Sequence, residues 1–167
     1  MKPGQIRMNI ARLIASGFGS GFCPVAPGTA GSLVALGLGV LLMRLSPAAL
    51  PLAIGLAVIL GVWSVRHEAR GSDPGWVVID EFAGQWIAML PLIGMAPSVS
   101  AGIGLVLAFV LFRLFDILKP GPVGWADRRH DAIGVMADDL IAGAMAAGLV
   151  WAMLQVWHQR APTDLAS

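Results

Sequence analysis

Four stretches without a single Asp, Glu, Lys or Arg limit what this chain can fold into: Pro24–Met43, Leu45–Val65, Phe82–Phe112 and Leu140–Gln159. A helix rises ~1.5 Å per residue and a bilayer core is ~30 Å thick, so ~20 apolar residues make one crossing. Three of the runs are near that length, with Arg44, Ser46 and Pro47 marking a tight turn between the first two. Phe82–Phe112 is longer and is interrupted by Pro91, Gly94 and Pro97. It predicts a hairpin of two short helices, spanning or re-entrant, with its break at the far surface. Charged residues make up 13% of the chain, against ~25% in soluble domains, and the mean hydropathy is +0.78. The reading is an all-α integral membrane protein, a compact bundle of about four to five transmembrane or re-entrant helices in one domain, residues 1–167.

The charges between the runs fall in alternate gaps. Five crossings put the N-terminus, Arg66–Glu81 and Arg113–Asp139 on one side. That side collects Lys2, Arg7, Arg12, Arg66, Arg70, Arg113, Lys119, Arg128 and Arg129, leaving only Arg44 and Arg160 opposite. Positive residues concentrate in cytoplasmic loops, so this side reads as cytoplasmic. All acids but Asp164 share it. The formal net charge of +1 provides no bulk field for nucleic acid, and membrane lipids are the expected surroundings. Residues 1–16 fit an interfacial amphipathic helix or an ordinary tail, and lack the apolar core of a cleaved signal. Cys23 cannot form an internal disulfide.

A one-sided polar surface at a membrane suggests a site. Ser16–Ser32 is a glycine-rich segment leading into an apolar helix. It lacks a preceding strand and a P-loop lysine, so neither nucleotide fingerprint fits. Gly28, Thr29, Gly31 and Ser32 at a helix start suit phosphate binding through backbone N–H groups, or equally close packing between helices. Asp80-Glu81 and Asp138-Asp139 each stand where an apolar helix is expected to begin. Helix capping accounts for one carboxylate per helix. Adjacent pairs repel unless a hard cation neutralises them, and Mg2+ with oxygen ligands is the candidate. Arg113, Asp116 and Lys119 follow at helical spacing among Phe112, Leu114, Phe115, Ile117 and Leu118, where charge is costly unless it is used. Arg128 and Arg129 are candidate phosphate clamps or lipid headgroup contacts. His67, His130 and His158 lack metal-ligand spacing.

Four segments, GFGSGFCPVAPGTAGS, DPGWVVIDEFAGQW, FRLFDILKPGPVGWADRR and GVMADDLIAG, run in order from Gly17 to Gly143. Together they resemble the phosphatidylglycerophosphatase A family of bacterial inner-membrane enzymes. The resemblance implies Mg2+-dependent removal of the terminal phosphate from phosphatidylglycerophosphate, a phospholipid, at the cytoplasmic leaflet. It carries over Asp73, Asp80, Glu81, Asp116, Lys119, Asp127, Asp138 and Asp139 as site residues, with Glu68 the least secure match. Roles then assign Asp80, Glu81, Asp138 and Asp139 to metal, and Asp116 and Asp127 to catalysis. Lys119, Arg128, Arg113, Thr29 and Ser32 are assigned to phosphate, with Asp73 a further site acid. The attacking group stays open between an activated water and Asp116 itself.

Other phosphatase chemistries leave no trace. Thr29 stands where a cysteine phosphatase loop beginning at Cys23 needs arginine, and no DxDx[TV] nucleophile motif occurs. A small cation transporter is a rival reading, but it wants acids at mid-span, whereas here they sit at the ends of the apolar runs. A scaffold subunit is another, and it would have no use for paired acids.

Overall fold

The computed structural model describes residues 8–68, 74–129 and 131–160, so the expectations for Asp73, Arg70, His130 and the first seven residues of the N-terminal segment lie outside the described residues. Within them the order is α1 (Ile10–Ala15), α2 (Pro27–Leu45), α3 (Ala49–Glu68), α4 (Ile79–Ala88), α5 (Val99–Leu118), α6 (Pro122–Asp127) and α7 (Ala132–Arg160), with no strand among the described residues. Helices α2, α3, α5 and α7 are long and apolar enough to cross a membrane.

The segment expected to form two short arms forms two unequal ones. Helix α4 has 10 residues, ~15 Å at 1.5 Å per residue and about half a bilayer core. It stops before Pro91, which has no N–H to donate and whose ring would strike the preceding turn. A 3-10 turn, Leu90–Leu92, and Gly94 at φ 82° carry the chain onward. The break reaches the far end, where Gly94, Pro97 and Ser98 line a cavity with Arg44 and Pro47. Helix α5 then returns over 20 residues, ~30 Å.

Helix α4 is the core of the bundle. Ile79, Phe82, Ala83, Gln85, Trp86 and Ala88 are buried on it, with α2, α3, α5 and α7 packed around. Buried small residues recur every four positions on the surrounding helices: Gly31, Ala35 and Gly39 on α2, Ala57 and Gly61 on α3, Gly104 and Ala108 on α5, Ala142 and Ala146 on α7. Such stripes let helix backbones approach where lipid removes the hydrophobic drive to associate. Helices α4 and α7 approach closely: a Cβ on Gly143 would lie 2.3 Å from the Gly84 carbonyl oxygen. Trp86 Nε1 donates to the Ala35 carbonyl at 2.7 Å, tying α4 to α2 without stranding a buried donor. The outer faces expose Leu41, Leu52, Ile59, Val106, Val110 and Trp151, an apolar surface that lipid can cover.

At the charged end α1 is strapped to α3 and α4. Asn9 Nδ2 donates to Glu68 Oε1 at 2.7 Å, Arg12 Nε lies 3.3 Å from Glu68 Oε2, and Val78 N donates to the Ala15 carbonyl at 2.9 Å. Glu68 thus serves as a clamp between elements. Helix α7 corrects one expectation. It begins at Ala132, not Leu140, because Asp131 Oδ1 accepts the Gly134 N–H at 2.8 Å and caps the helix. Asp138 and Asp139 therefore lie about two turns inside α7 rather than at its start, whereas Asp80 and Glu81 do occupy the first turn of α4.

Candidate active site

The charged ends of four helices enclose a cavity of about 370 Å³. Helix α2 contributes Pro27, Gly28 and Thr29 at its N-terminus, and α4 contributes Asp80 and Glu81. Helix α5 brings Arg113, Asp116 and Ile117, Lys119 follows at its end, and α7 supplies Asp138 and Asp139. One carboxylate oxygen from each of Asp80, Glu81 and Asp139 falls within 4.8 Å of the others, close enough to share one cation.

Arg113 is held on three sides. Its Nη1 lies 2.7 Å from Asp116 Oδ2 and 3.9 Å from Glu81 Oε1, and it donates to Ser32 Oγ at 3.2 Å. The Ser32 hydroxyl, fully buried, donates in turn to the Gly28 carbonyl at 2.8 Å. Lys119 ends α5 in the left-handed region, φ 47° and ψ 52°. An L-residue is strained there, and glycine is the usual occupant of such a cap. The turn directs its Nζ to Asp138 Oδ2 at 2.9 Å and to Asp127. Burial opposes the ammonium charge, but these two carboxylates outweigh it and hold the amine above its ordinary pKa. Both cations in the cavity wall are thus already engaged by protein carboxylates.

The acids carry the opposite imbalance. Burial pushes Glu81 up to about 8; the hydrogen bond with Asp80 and the Arg113 charge pull it back, while Asp139 raises it further. Glu81 Oε2, Asp138 Oδ1 and Asp139 Oδ1 are buried without a hydrogen-bond partner. Buried carboxylate oxygens of this kind are costly unless a cation or donor satisfies them.

Not every residue singled out in the sequence reaches the cavity. Ser32 acts through Arg113, and Asp127 touches Lys119 but does not line the wall. Arg128 is exposed at the end of α6 and also lies outside the lining. The sequence does not reveal how closely Gly28 is approached: a Cβ there would sit 2.3 Å from Glu81 Oε1. A glycine within the first helical turn of GTAGS was the available signal, but its partner lies 53 residues on, the difference between positions 28 and 81.

Comparison with known proteins bears on this site. The family described as Phosphatidylglycerophosphatase A matches residues 13–154. The Phosphatidylglycerophosphatase A of Escherichia coli (strain K12) is 37% identical over 154 residues, covering 87% of this chain and 84% of the relative. That of Haemophilus influenzae is 37% identical over 155 residues, covering 90% and 91%. A Bacteroides thetaiotaomicron protein named "Putative phosphatidylinositol-3-phosphatase" is 41% identical over 138 residues, covering 78% and 85%. No solved structure matches the chain. The matched span runs from α1 to the far part of α7 and includes every residue of the cavity wall, so the chain belongs to the phosphatidylglycerophosphatase A family.

Proposed function

We propose that this protein hydrolyses the terminal phosphate monoester of phosphatidylglycerophosphate to phosphatidylglycerol and phosphate, with Mg2+ as cofactor, at the cytoplasmic face of a bacterial inner membrane. The observation that carries this reading is a cavity at a membrane-helix end whose described wall has five carboxylates, namely Asp80, Glu81, Asp116, Asp138 and Asp139, with Arg113 and Lys119 the only cations against them among the described residues. A phosphate monoester carries close to two negative charges, and such a wall repels it unless a divalent cation binds first.

The residues fit Mg2+. The donors are all carboxylate oxygens, as a hard ion prefers, and three of those oxygens lack a protein partner. Asp80, Glu81 and Asp139 would hold it, with Asp138 alongside. When bound, Mg2+ neutralises phosphoryl charge and acts as a Lewis acid. Asp116, fixed by Arg113, accepts the proton of the attacking water as the new P–O bond forms; the bond to the glycerol oxygen breaks, and that oxygen takes up a proton from solvent water to give the free hydroxyl. Lys119 stays protonated, since Asp127 and Asp138 hold its pKa up, and it stabilises charge on the transferred group rather than donating a proton. Arg113 does the same from the α5 side, and Thr29 faces the phosphate from α2. Arg128 lies outside this wall and meets the lipid headgroup.

Membrane placement follows from length. Asp139 and Trp157 are 18 residues apart on one helix, ~27 Å. With the exposed Trp157 at one interface, the acids sit at the other. Exposed Ile117 in the cavity wall opens the site toward lipid.

The test is phosphate release by the detergent-purified protein from phosphatidylglycerophosphate, with Mg2+ and with EDTA. Release that requires Mg2+ supports the reading, and none in either condition overturns it. The Bacteroides relative's name motivates a second substrate arm, phosphatidylinositol 3-phosphate, also a phosphate monoester on a phospholipid. Preference for that lipid would replace the substrate and retain the reaction.

A further inference from the structure

The turn after α1 holds three consecutive residues in the left-handed region: Gly17 at φ 54°, Phe18 at 58° and Gly19 at 94°. Glycine takes that conformation freely, whereas a bulky L-residue there is strained. The backbone at Phe18 is held in place from both sides. Its N–H donates to the Leu13 carbonyl at 2.9 Å, and a Cβ on Gly17 would lie 2.5 Å from the Phe82 ring, so the turn is pressed onto α4. The strain does not bury the side chain: Phe18 is 64% exposed, its ring meeting that of Phe82 at 6.4 Å between centroids. Strain kept without a return in burial points to a use.

Phe18 borders an apolar groove. With Gly17, Ser20, Val34 and Leu38 it lines a cavity of about 580 Å³ between the turn and α2. Val34 and Leu38 are exposed on a helix long and apolar enough to cross a membrane, so the groove opens to lipid. Two features join it to the acidic cavity. Along α2, Pro27, Ala30, Val34 and Leu38 are spaced by three, four and four residues and form one stripe of the helix. Pro27 lines the acidic cavity at one end of that stripe, and Leu38 lines the groove at the other. The segment before α2 also borders both, through Phe18 at the groove and Ala26 at the acidic cavity. Length fits as well. Pro27 and Leu38 are 11 residues apart, the difference between their positions, which is ~16 Å along the axis. One leaflet contributes half of a ~30 Å bilayer core.

We propose that this groove receives one acyl chain of the lipid substrate, with Phe18 as the wall that fixes the chain's path beside α2. A phospholipid whose phosphate lies in the acidic cavity leaves its chains in the adjoining leaflet, and the α2 stripe runs from that cavity into the leaflet. A chain passing from the bilayer into the groove gains little hydrophobic energy, because lipid is already apolar. The gain is orientation: a held chain sets the depth and direction at which the phosphate meets the acids. This inference rests on the lipid-phosphatase reading above and adds to it a subsite for the chain.

Two readouts test it on the full chain in detergent. Phosphate release is measured from long-chain phosphatidylglycerophosphate and from its deacylated headgroup, which has nothing to place in the groove. Phe18→Gly removes the ring and the strain together, and Leu38→Trp fills the groove. In both, kcat/KM on the long-chain lipid should fall at least ~10-fold, with no loss on the deacylated headgroup and none in the unfolding midpoint. Ile59→Trp, on the exposed face of α3, is the control and should match wild type on both. Equal losses on the two substrates, or no loss on the lipid, overturn the inference. The second readout needs no turnover: phosphatidylglycerophosphate with a diazirine midway along its acyl chains is photolysed on the wild-type protein. Crosslinks at Phe18, Val34 or Leu38 support the groove, and crosslinks that avoid all three overturn it. If the lipid crosslinks there but no phosphate is released, the groove stands and the proposed substrate falls.

Discussion

Replacing Gly28 with alanine isolates the geometry of the triad. The added Cβ would lie 2.3 Å from Glu81 Oε1 and 3.1 Å from Arg113 Nη2, whereas ordinary contact begins at 3.4 Å. Helix α2 is pinned through Ala35 to Trp86, so the flexible Glu81 carboxylate yields, by about 1.1 Å, the difference between 3.4 and 2.3 Å. The fold should tolerate this: alanine gains up to ~1 kcal/mol of helix propensity, offsetting part of an overpacking cost of ~1–3 kcal/mol. Metal binding should not. Disturbing an oriented ligand set costs ~10–100-fold in affinity, about 1.4–2.7 kcal/mol. Calorimetric titration of Gly28→Ala with Mg2+, beside thermal unfolding in detergent, separates the two effects. Gly37→Ala is the control on the same helix, because a Cβ there meets nothing within 4 Å. Wild-type Mg2+ affinity in a folded Gly28→Ala protein would refute the placement of Glu81 in the metal site.

Four further outcomes are expected. Lys119→Met strands the buried Asp138 carboxylate and removes charge stabilisation, so kcat should fall at least ~100-fold, with Lys119→Arg recovering part of it. Mg2+ affinity should rise with pH and level off above about 8, because Glu81 holds a proton below that value and must lose it to ligate; titration in buffers of different ionisation heat reads the released proton. The sign for stability is opposite: the folded pKa lies above the ordinary 4.5, so the metal-free protein should lose stability as pH rises from 4.5 through about 8. Unfolding midpoints across that range, with and without Mg2+, check it. Gly143→Val drives a side chain against the Gly84 backbone, which cannot yield as a side chain can, and should destabilise the fold by ~1–3 kcal/mol or more. Gly148→Ala, facing open space, should not.

Much of this was legible in the chain. The uncharged runs marked the apolar helices, because a bilayer imposes length and composition directly on a segment. Pro91 placed the break in the third run for the same local reason. The α7 boundary was missed because Asp131 looked like one more charge in ADRRHD, and its capping role depends on the Gly134 N–H turning back to it. Asp127 was grouped with the catalytic acids because motif order carries no distance; its contact is with Lys119.

Sequence by itself determined the membrane class, the polar end and the family, since hydropathy, charge sidedness and ordered motifs are properties of segments. Tertiary structure alone decided which acids converge. Asp80, Glu81 and Asp139 come from α4 and α7, brought together where Gly84 and Gly143 let two backbones touch. It also decided that Arg113 and Lys119 are engaged before any phosphate arrives. Those facts depend on distances between helices, which packing sets and residue spacing along the chain does not encode.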